Sequence, residues 1–195
     1  MAFLFLQAVY IMPRLFIAVD LPDSVKDLLT RVRTDIGDAS WAKRNTYHVT
    51  LRFLGDDVPA ARIASIIAAL NTVQFEAFAI RVQGVGRFPP DRKRAARVLW
   101  AGIAAPRTMS DLYAQIEQAL VTVDFAVEER PFHPHVTLAR LRASRPDRAV
   151  DDFLEQYKTL ASKPLNVARF VLYESRLSPQ GAEYSSRAAF EALVK

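Results

Sequence analysis

The sequence predicts an α+β fold of two pseudo-symmetric lobes, each an antiparallel sheet with outer helices, facing one another across a cleft. Two observations carry this reading. The tetrapeptide His-Val-Thr-Leu occurs twice, at residues 48–51 and 135–138, with His48 and His135 standing 87 positions apart. Each half of the chain also sets a strand bearing the tetrapeptide beside a helical segment and further strands. That grouping suggests two related lobes in place of a parallel, doubly wound sheet.

Taken in order, residues 14–20 form a short, mostly apolar run with strand character, closed by "LPD". Residues 24–36 carry Val25, Leu28, Leu29, Val32 and Ile36 at helical spacing, and Gly37 is the expected stop. Residues 47–54 alternate as a strand ended by Gly55-Asp56, and residues 59–70 read as an Ala-rich helix. Strands over 75–88 and 97–103 flank the turn "PPDRKRA", and a helix follows over 106–121 with Pro at a tolerated first-turn position. The second half offers a strand over 134–141, a helix over 146–160, and strands over 165–176 and 183–193 joined by "SPQG". The lobe boundary is expected near the third helix or its exit.

Composition narrows the function classes. The 195 residues are 51% hydrophobic with 6 Gly, which suits one folded domain with a sizeable core. The apolar start, residues 1–11, lacks a basic n-region and a cleavage site, so it reads as an extension or edge strand, with Met12 as the natural beginning. Zero Cys excludes disulfides and thiolate metal sites and fits a reducing compartment, so the cytoplasm is the expected location. No apolar run is long enough to span a bilayer. The net charge is +5, and 20 of the 26 basic residues are Arg, whose planar fork matches phosphate oxygens. A nucleic-acid or phosphate ligand is compatible with that balance.

In a strand, residues two apart share a face. His48 therefore sides with Thr50, and His135 with Thr137, while Val49, Leu51, Val136 and Leu138 point to the apolar side. Convergence of the two faces would bring two imidazoles and two hydroxyls into one cleft. Two imidazoles form a general acid/base pair near neutral pH, and hydroxyls with nearby Arg can bind phosphoryl oxygens. There is no nucleophile motif, no Gly-rich phosphate loop and no acidic metal-binding cluster at recognisable spacing. The inventory fits phosphoryl transfer without metal, cofactor or covalent intermediate.

"HVTLRFLG" and "HPHVTLAR" resemble the paired H-x-T-x motifs of the two-histidine phosphoesterase superfamily. "RLFIAVDLP", Trp41, "FLG" and "LYESRLSPQGAEY" are similar to its RNA 2′,3′-cyclic phosphodiesterase branch, also called the 2′-5′ RNA ligase family. The likeness runs from about Met12 onward. It implies a bilobal fold, hydrolysis of RNA 2′,3′-cyclic phosphate ends to 2′-phosphomonoesters, and RNA ligation in some members. It implies His48 as proton donor to the leaving 3′ oxygen and His135 as acceptor from water. Thr50, Thr137 and Arg140 correspond to phosphate-binding residues. Strict alternation sets Arg140 opposite His135, a tension that a bulge would relieve, and puts Arg52 on the His48 face as a second candidate.

Trp41, Phe132 and Tyr184 are candidates for stacking on a base, with packing as the plain alternative. His133 invites a His-x-His metal reading, but the repeat already places His135 opposite His48, so His133 is expected to be structural. The basic turn at residues 91–97 is either a solvated hairpin tip or a track for an RNA backbone. The expected partner is RNA, with no protein partner evident and the chain a monomer.

Overall fold

A computed structural model of the chain describes residues 13–37, 39–178 and 181–194. The elements run β1 (Arg14–Asp20), α1 (Asp23–Arg31), β2 (Ala39–Trp41), β3 (His48–Gly55), α2 (Ile63–Leu70), β4 (Phe78–Phe88) and β5 (Val98–Ala104). Then follow α3 (Arg107–Val121), β6 (His135–Leu141), α4 (Arg148–Gln156), β7 (Leu165–Val167), β8 (Arg169–Ser178) and β9 (Gly181–Glu191). The strands form two antiparallel sheets, ordered β3-β1-β8-β9 and β2-β6-β5-β4-β7.

The bilobal α+β architecture is as the sequence predicts, but the lobes are interleaved instead of consecutive. The first sheet joins strands from both ends of the chain, and β2 crosses from the first half to pair with β6. A single boundary near α3 therefore does not exist. The run 165–176, expected as one strand, is two: β7 pairs with β4 in the second sheet, and after Ala168 the chain enters β8 in the first. Alternation cannot reveal such a switch, because the partner strand of each piece is set by pairing and not by its own side chains.

Helix α1 ends at Arg31, short of the expected Ile36. Thr30 turns its hydroxyl back to the Lys26 carbonyl at 2.8 Å, and Val32 and Thr34 are β-branched, which lowers helix propensity there. The Tyr47 hydroxyl donates to the Leu29 carbonyl at 3.3 Å, satisfying one terminal acceptor. Helix α4 starts late, at Arg148, because Asp147 is its cap and accepts from the Ala149 N–H at 2.9 Å. The helix expected over 59–70 begins as a 3-10 turn at Ala60–Arg62 and becomes α-helical from Ile63. The three-residue β2 carried no expectation of its own. Residues 1–11, read as an extension, and part of the SPQG turn lie outside the described residues, although β8 and β9 pair down to Ser178 and Gly181.

The core behind the two His-Val-Thr-Leu segments is apolar. Val49, Leu51, Val136 and Leu138 are buried, as are Leu15, Ile17 and Val19 of β1. Each such side chain contributes about 1.5–3 kcal/mol on burial, so both motif strands are anchored from behind. Among the described residues, no helix is long and apolar enough to cross a membrane.

Candidate active site

Strands β3 and β6 belong to separate sheets, yet approach within 8 Å between Cα atoms. This brings the two copies of the tetrapeptide together, and His135 lies near enough that its charge disfavours protonation of His48.

Each motif histidine is held the same way. His48 Nδ1 is 2.8 Å from the Thr46 carbonyl, and His135 Nδ1 is 2.7 Å from the His133 carbonyl. A carbonyl oxygen only accepts, so Nδ1 carries the proton in both rings and Nε2 is left for chemistry. In each case the carbonyl belongs to the residue two positions earlier. This explains what His133 does: its backbone orients His135, while its ring rests edge-on against Trp100 and Phe88. Among the described residues no three of His, Cys, Asp or Glu gather as a metal-ligand group.

The motifs differ at Nε2. His48 Nε2 is 3.0 Å from Thr50 Oγ1. A hydroxyl both donates and accepts, so this contact survives whether His48 is neutral or charged. The surroundings differ too. Burial lowers the proton affinity of both imidazoles, but at His48 the Asp20 carboxylate pulls the other way. At His135 the positive charge of Arg140 adds to the lowering. Asp20 stands directly across the β1–β3 ladder from His48 and accepts a 2.6 Å hydrogen bond from the Tyr173 hydroxyl. Burial, then that bond, pushes the Tyr173 phenol far above its usual range. Arg169 pairs with the same carboxylate at 3.5 Å.

Two β-bulges decide where the arginines go. In the β1–β3 ladder Ala18 opposes Thr50 and Ile17 opposes Arg52, skipping Leu51. In the β5–β6 ladder Trp100 opposes Thr137 and Leu99 opposes Ala139, skipping Leu138. The extra residue is the Leu of the tetrapeptide in both cases, and beyond it the alternation flips. Arg140 is thereby exposed on the side of His135 and Thr137, while Ala139 is buried. The same flip corrects the expectation for Arg52, which alternation had placed beside His48. Its guanidinium turns behind the strand, 2.7 Å from Glu117 and 3.2 Å from Glu128, with the side chain 12% exposed. Phe53 comes forward in its place, 36% exposed with Arg14 over its ring.

Of the aromatic candidates, Tyr184 lies beside His48, with ring centroids 5.4 Å apart. Burial raises its phenol above the usual value. It helps line a cavity of about 310 Å³ with His48, Tyr173, Asp20, Lys26 and Arg169. Trp41 packs edge-on against Phe153, and Phe132 lies flat on Tyr113 with centroids 4.3 Å apart. Each of these partly exposed rings thus has a packing partner within the fold. Sequence reasoning missed Phe16, Asp20, Tyr173 and Trp100. Phe16 lies 4.8 Å from the His48 ring, and Trp100 lies 6.2 Å from that of His135. A signal for Trp100 existed in its glycine neighbours: a Cβ at Gly86 would sit 2.1 Å from the indole.

The family model of the 2′-5′ RNA ligase superfamily matches residues 21–178. A protein of Archaeoglobus fulgidus named RNA 2′,3′-cyclic phosphodiesterase is 30% identical, over 91% of this chain and 99% of its own length. A protein of the same name from Aeropyrum pernix is 34% identical over 72% of this chain and 78% of its own. Among solved structures, TT0787 of Thermus thermophilus matches with a TM-score of 0.73 at 26% identity, covering 91% of this chain and 97% of that one. E. coli LigT complexed with 3′-AMP is alike in fold, with a TM-score of 0.72 at 23% identity over 92% and 98% of the two chains. With its duplicated His-Val-Thr-Leu on facing strands, the chain belongs to the 2′-5′ RNA ligase superfamily.

Proposed function

We propose that the cleft hydrolyses the 2′,3′-cyclic phosphate at an RNA end to a 2′-phosphomonoester and a free 3′ hydroxyl. The carrying observation is the shared Nδ1–H···O=C anchor of His48 and His135, which leaves an Nε2 from each side for proton transfer. Water attacks phosphorus as His135 Nε2 takes its proton, and the bond to O3′ breaks as charged His48 gives O3′ a proton. The local charges favour this direction: Asp20 supports the charged form of His48, whereas Arg140 opposes charging of His135. Thr50, Thr137 and Arg140 hydrogen-bond the phosphoryl oxygens as charge builds on them. Both proton transfers are supplied by side chains, so the reaction runs without a metal ion. A cysteine-free chain suits a reducing compartment, and we place the reaction in the cytoplasm. The names carried by the Archaeoglobus and Aeropyrum relatives support the same substrate.

The test is incubation with a 2′,3′-cyclic nucleotide in excess chelator, with products separated by chromatography. The 2′-monophosphate is expected at an unchanged rate. Turnover that stops with chelator, or that persists in both His48→Ala and His135→Ala, contradicts the reading. Substitution of an RNA 5′ hydroxyl for water in the same geometry is ligation, and a 2′-5′-linked product in the same chromatogram identifies it.

A further inference from the structure

The catalytic groups account for one phosphate, but the chain concentrates its positive charge elsewhere. Two stretches, "DRKRAAR" at residues 91–97 and "RLRASRPDR" at 140–148, hold eight cations against two acids. Their net charge of +6 exceeds the +5 of the entire protein, so the remainder of the chain is slightly acidic.

The fold joins these stretches, which lie some fifty residues apart in sequence. The first is the hairpin between β4 and β5, and the second runs from the end of β6 into α4. Val98 opposes Arg140 in the β5–β6 ladder, and the Leu141 N–H donates to the Arg97 carbonyl at 2.9 Å. Both therefore meet at one end of the second sheet, and the patch begins at Arg140, the cation that the bulge brings to the cleft. Two of its members are engaged, Arg92 with Asp151 at 3.6 Å and Arg148 with Asp152 at 3.8 Å. Lys93, Arg94, Arg97, Arg142 and Arg145 are exposed, and among the described residues none of their side-chain charges forms an ion pair, although the Lys93 backbone N–H donates to Asp91 Oδ1 at 2.9 Å. Unpaired like charges repel and destabilise the bare surface. A polyanion relieves that repulsion with release of counterions.

We propose that this rim binds the phosphate backbone of the RNA body leading to the cyclic end, so that the enzyme prefers oligonucleotides to mononucleotides. The proposal rests on the cyclic-phosphate reading. A mononucleotide reaches only the cleft, whereas a single-stranded oligonucleotide continues past Arg140 onto the rim.

The experiment compares a 2′,3′-cyclic mononucleotide with an RNA oligonucleotide of about ten residues carrying the same end. It uses the wild type and a variant with Lys93, Arg94, Arg97, Arg142 and Arg145 all changed to Gln. Each phosphate contact adds about 0.7 to the salt exponent for a single strand. Five contacts thus weaken wild-type oligonucleotide binding roughly a hundredfold between 50 and 200 mM salt. The variant is expected to lose this salt-dependent excess and the oligonucleotide preference while hydrolysing the mononucleotide at the wild-type rate. Equal effects on both substrates, or an unchanged salt exponent, overturn the proposal. So does a rim whose substitution alters binding to anionic vesicles or an acidic protein but not to RNA. Fluorescence anisotropy with an oligonucleotide ending in a 3′ hydroxyl reads the rim without turnover. Salt-sensitive binding lost in the variant supports the rim even where neither cyclic substrate is hydrolysed, a result that defeats the activity reading alone.

Discussion

Strands β3 and β6 carry the same four residues, the same bulge at Leu51 and Leu138, and the same backbone anchor on the histidine ring. They differ in what surrounds that shared frame. His48 has Thr50 on its Nε2 and a carboxylate, Asp20, across the ladder. His135 has Arg140, whose charge disfavours its protonation. After the bulge, Arg52 and Phe53 stand in one copy where Ala139 and Arg140 stand in the other. The two copies thus share the ring anchor and the bulge, while burial lowers the proton affinity of both rings and the unlike neighbouring charges act on them in opposite directions. A symmetric frame with asymmetric charge is what an in-line displacement needs, since one side must give a proton and the other receive one.

The comparison can be broken most forcefully at the histidines. His48→Ala and His135→Ala are each expected to lower kcat/KM by about 10²–10⁴, the usual contribution of a positioned acid or base. A loss confined to one of them, measured by steady-state kinetics, ends the two-sided account. Next in size is Arg52→Met, whose effect falls on stability. Removing this cation leaves Glu117, whose side chain is only 10% exposed, without its counter-charge. About 3–5 kcal/mol of folding free energy is expected to be lost, read by denaturant titration. The activity of the folded fraction is expected to stay near wild type. A selective loss of activity with stability intact would return Arg52 to the site.

Thr50→Val and Thr137→Val are each expected to cost the proposed hydrogen bond to a charged phosphoryl oxygen, about 1.5–3 kcal/mol, or roughly 10–150-fold in kcat/KM. Thr50→Val is also expected to change the pH profile, because its hydroxyl touches His48 Nε2 and no matching bond to Thr137 is present among the described residues. Arg140→Gln is the mildest, about tenfold in kcat/KM for about 1.4 kcal/mol. Its sign on the pH profile is definite. Arg140 holds the proton affinity of His135 down, so removing it raises that affinity and moves the acid limb to higher pH. An acid limb that stays in place separates Arg140 from His135.

Much of this was legible in the sequence. The period-two pattern marked β3 and β6, and the repeat singled out His48, Thr50, His135 and Thr137 for one cleft, because both signals are local. The bulges were not legible, since the extra Leu is defined by the register of the partner strand and not by the motif strand itself. Alternation alone therefore places Arg52 at the cleft and Arg140 away from it. Asp20 and Trp100 come beside the histidines across ladders, and Tyr173 is tied to Asp20, relations no single segment records. The sheet switch at Ala168 is likewise a property of pairing.

The pairing of a charged His48 with a neutral His135 is tested most directly by the pH dependence of kcat/KM on a 2′,3′-cyclic nucleotide. A bell is expected, with limbs that are macroscopic values of the coupled pair. Burial lowers both imidazoles, so the bell lies toward the acid side of their ordinary value near 6.5. In residual activity, His135→Ala is expected to lose the acid limb and His48→Ala the alkaline limb. A flat profile from about pH 5 to 9, or both limbs surviving in both variants, would contradict it.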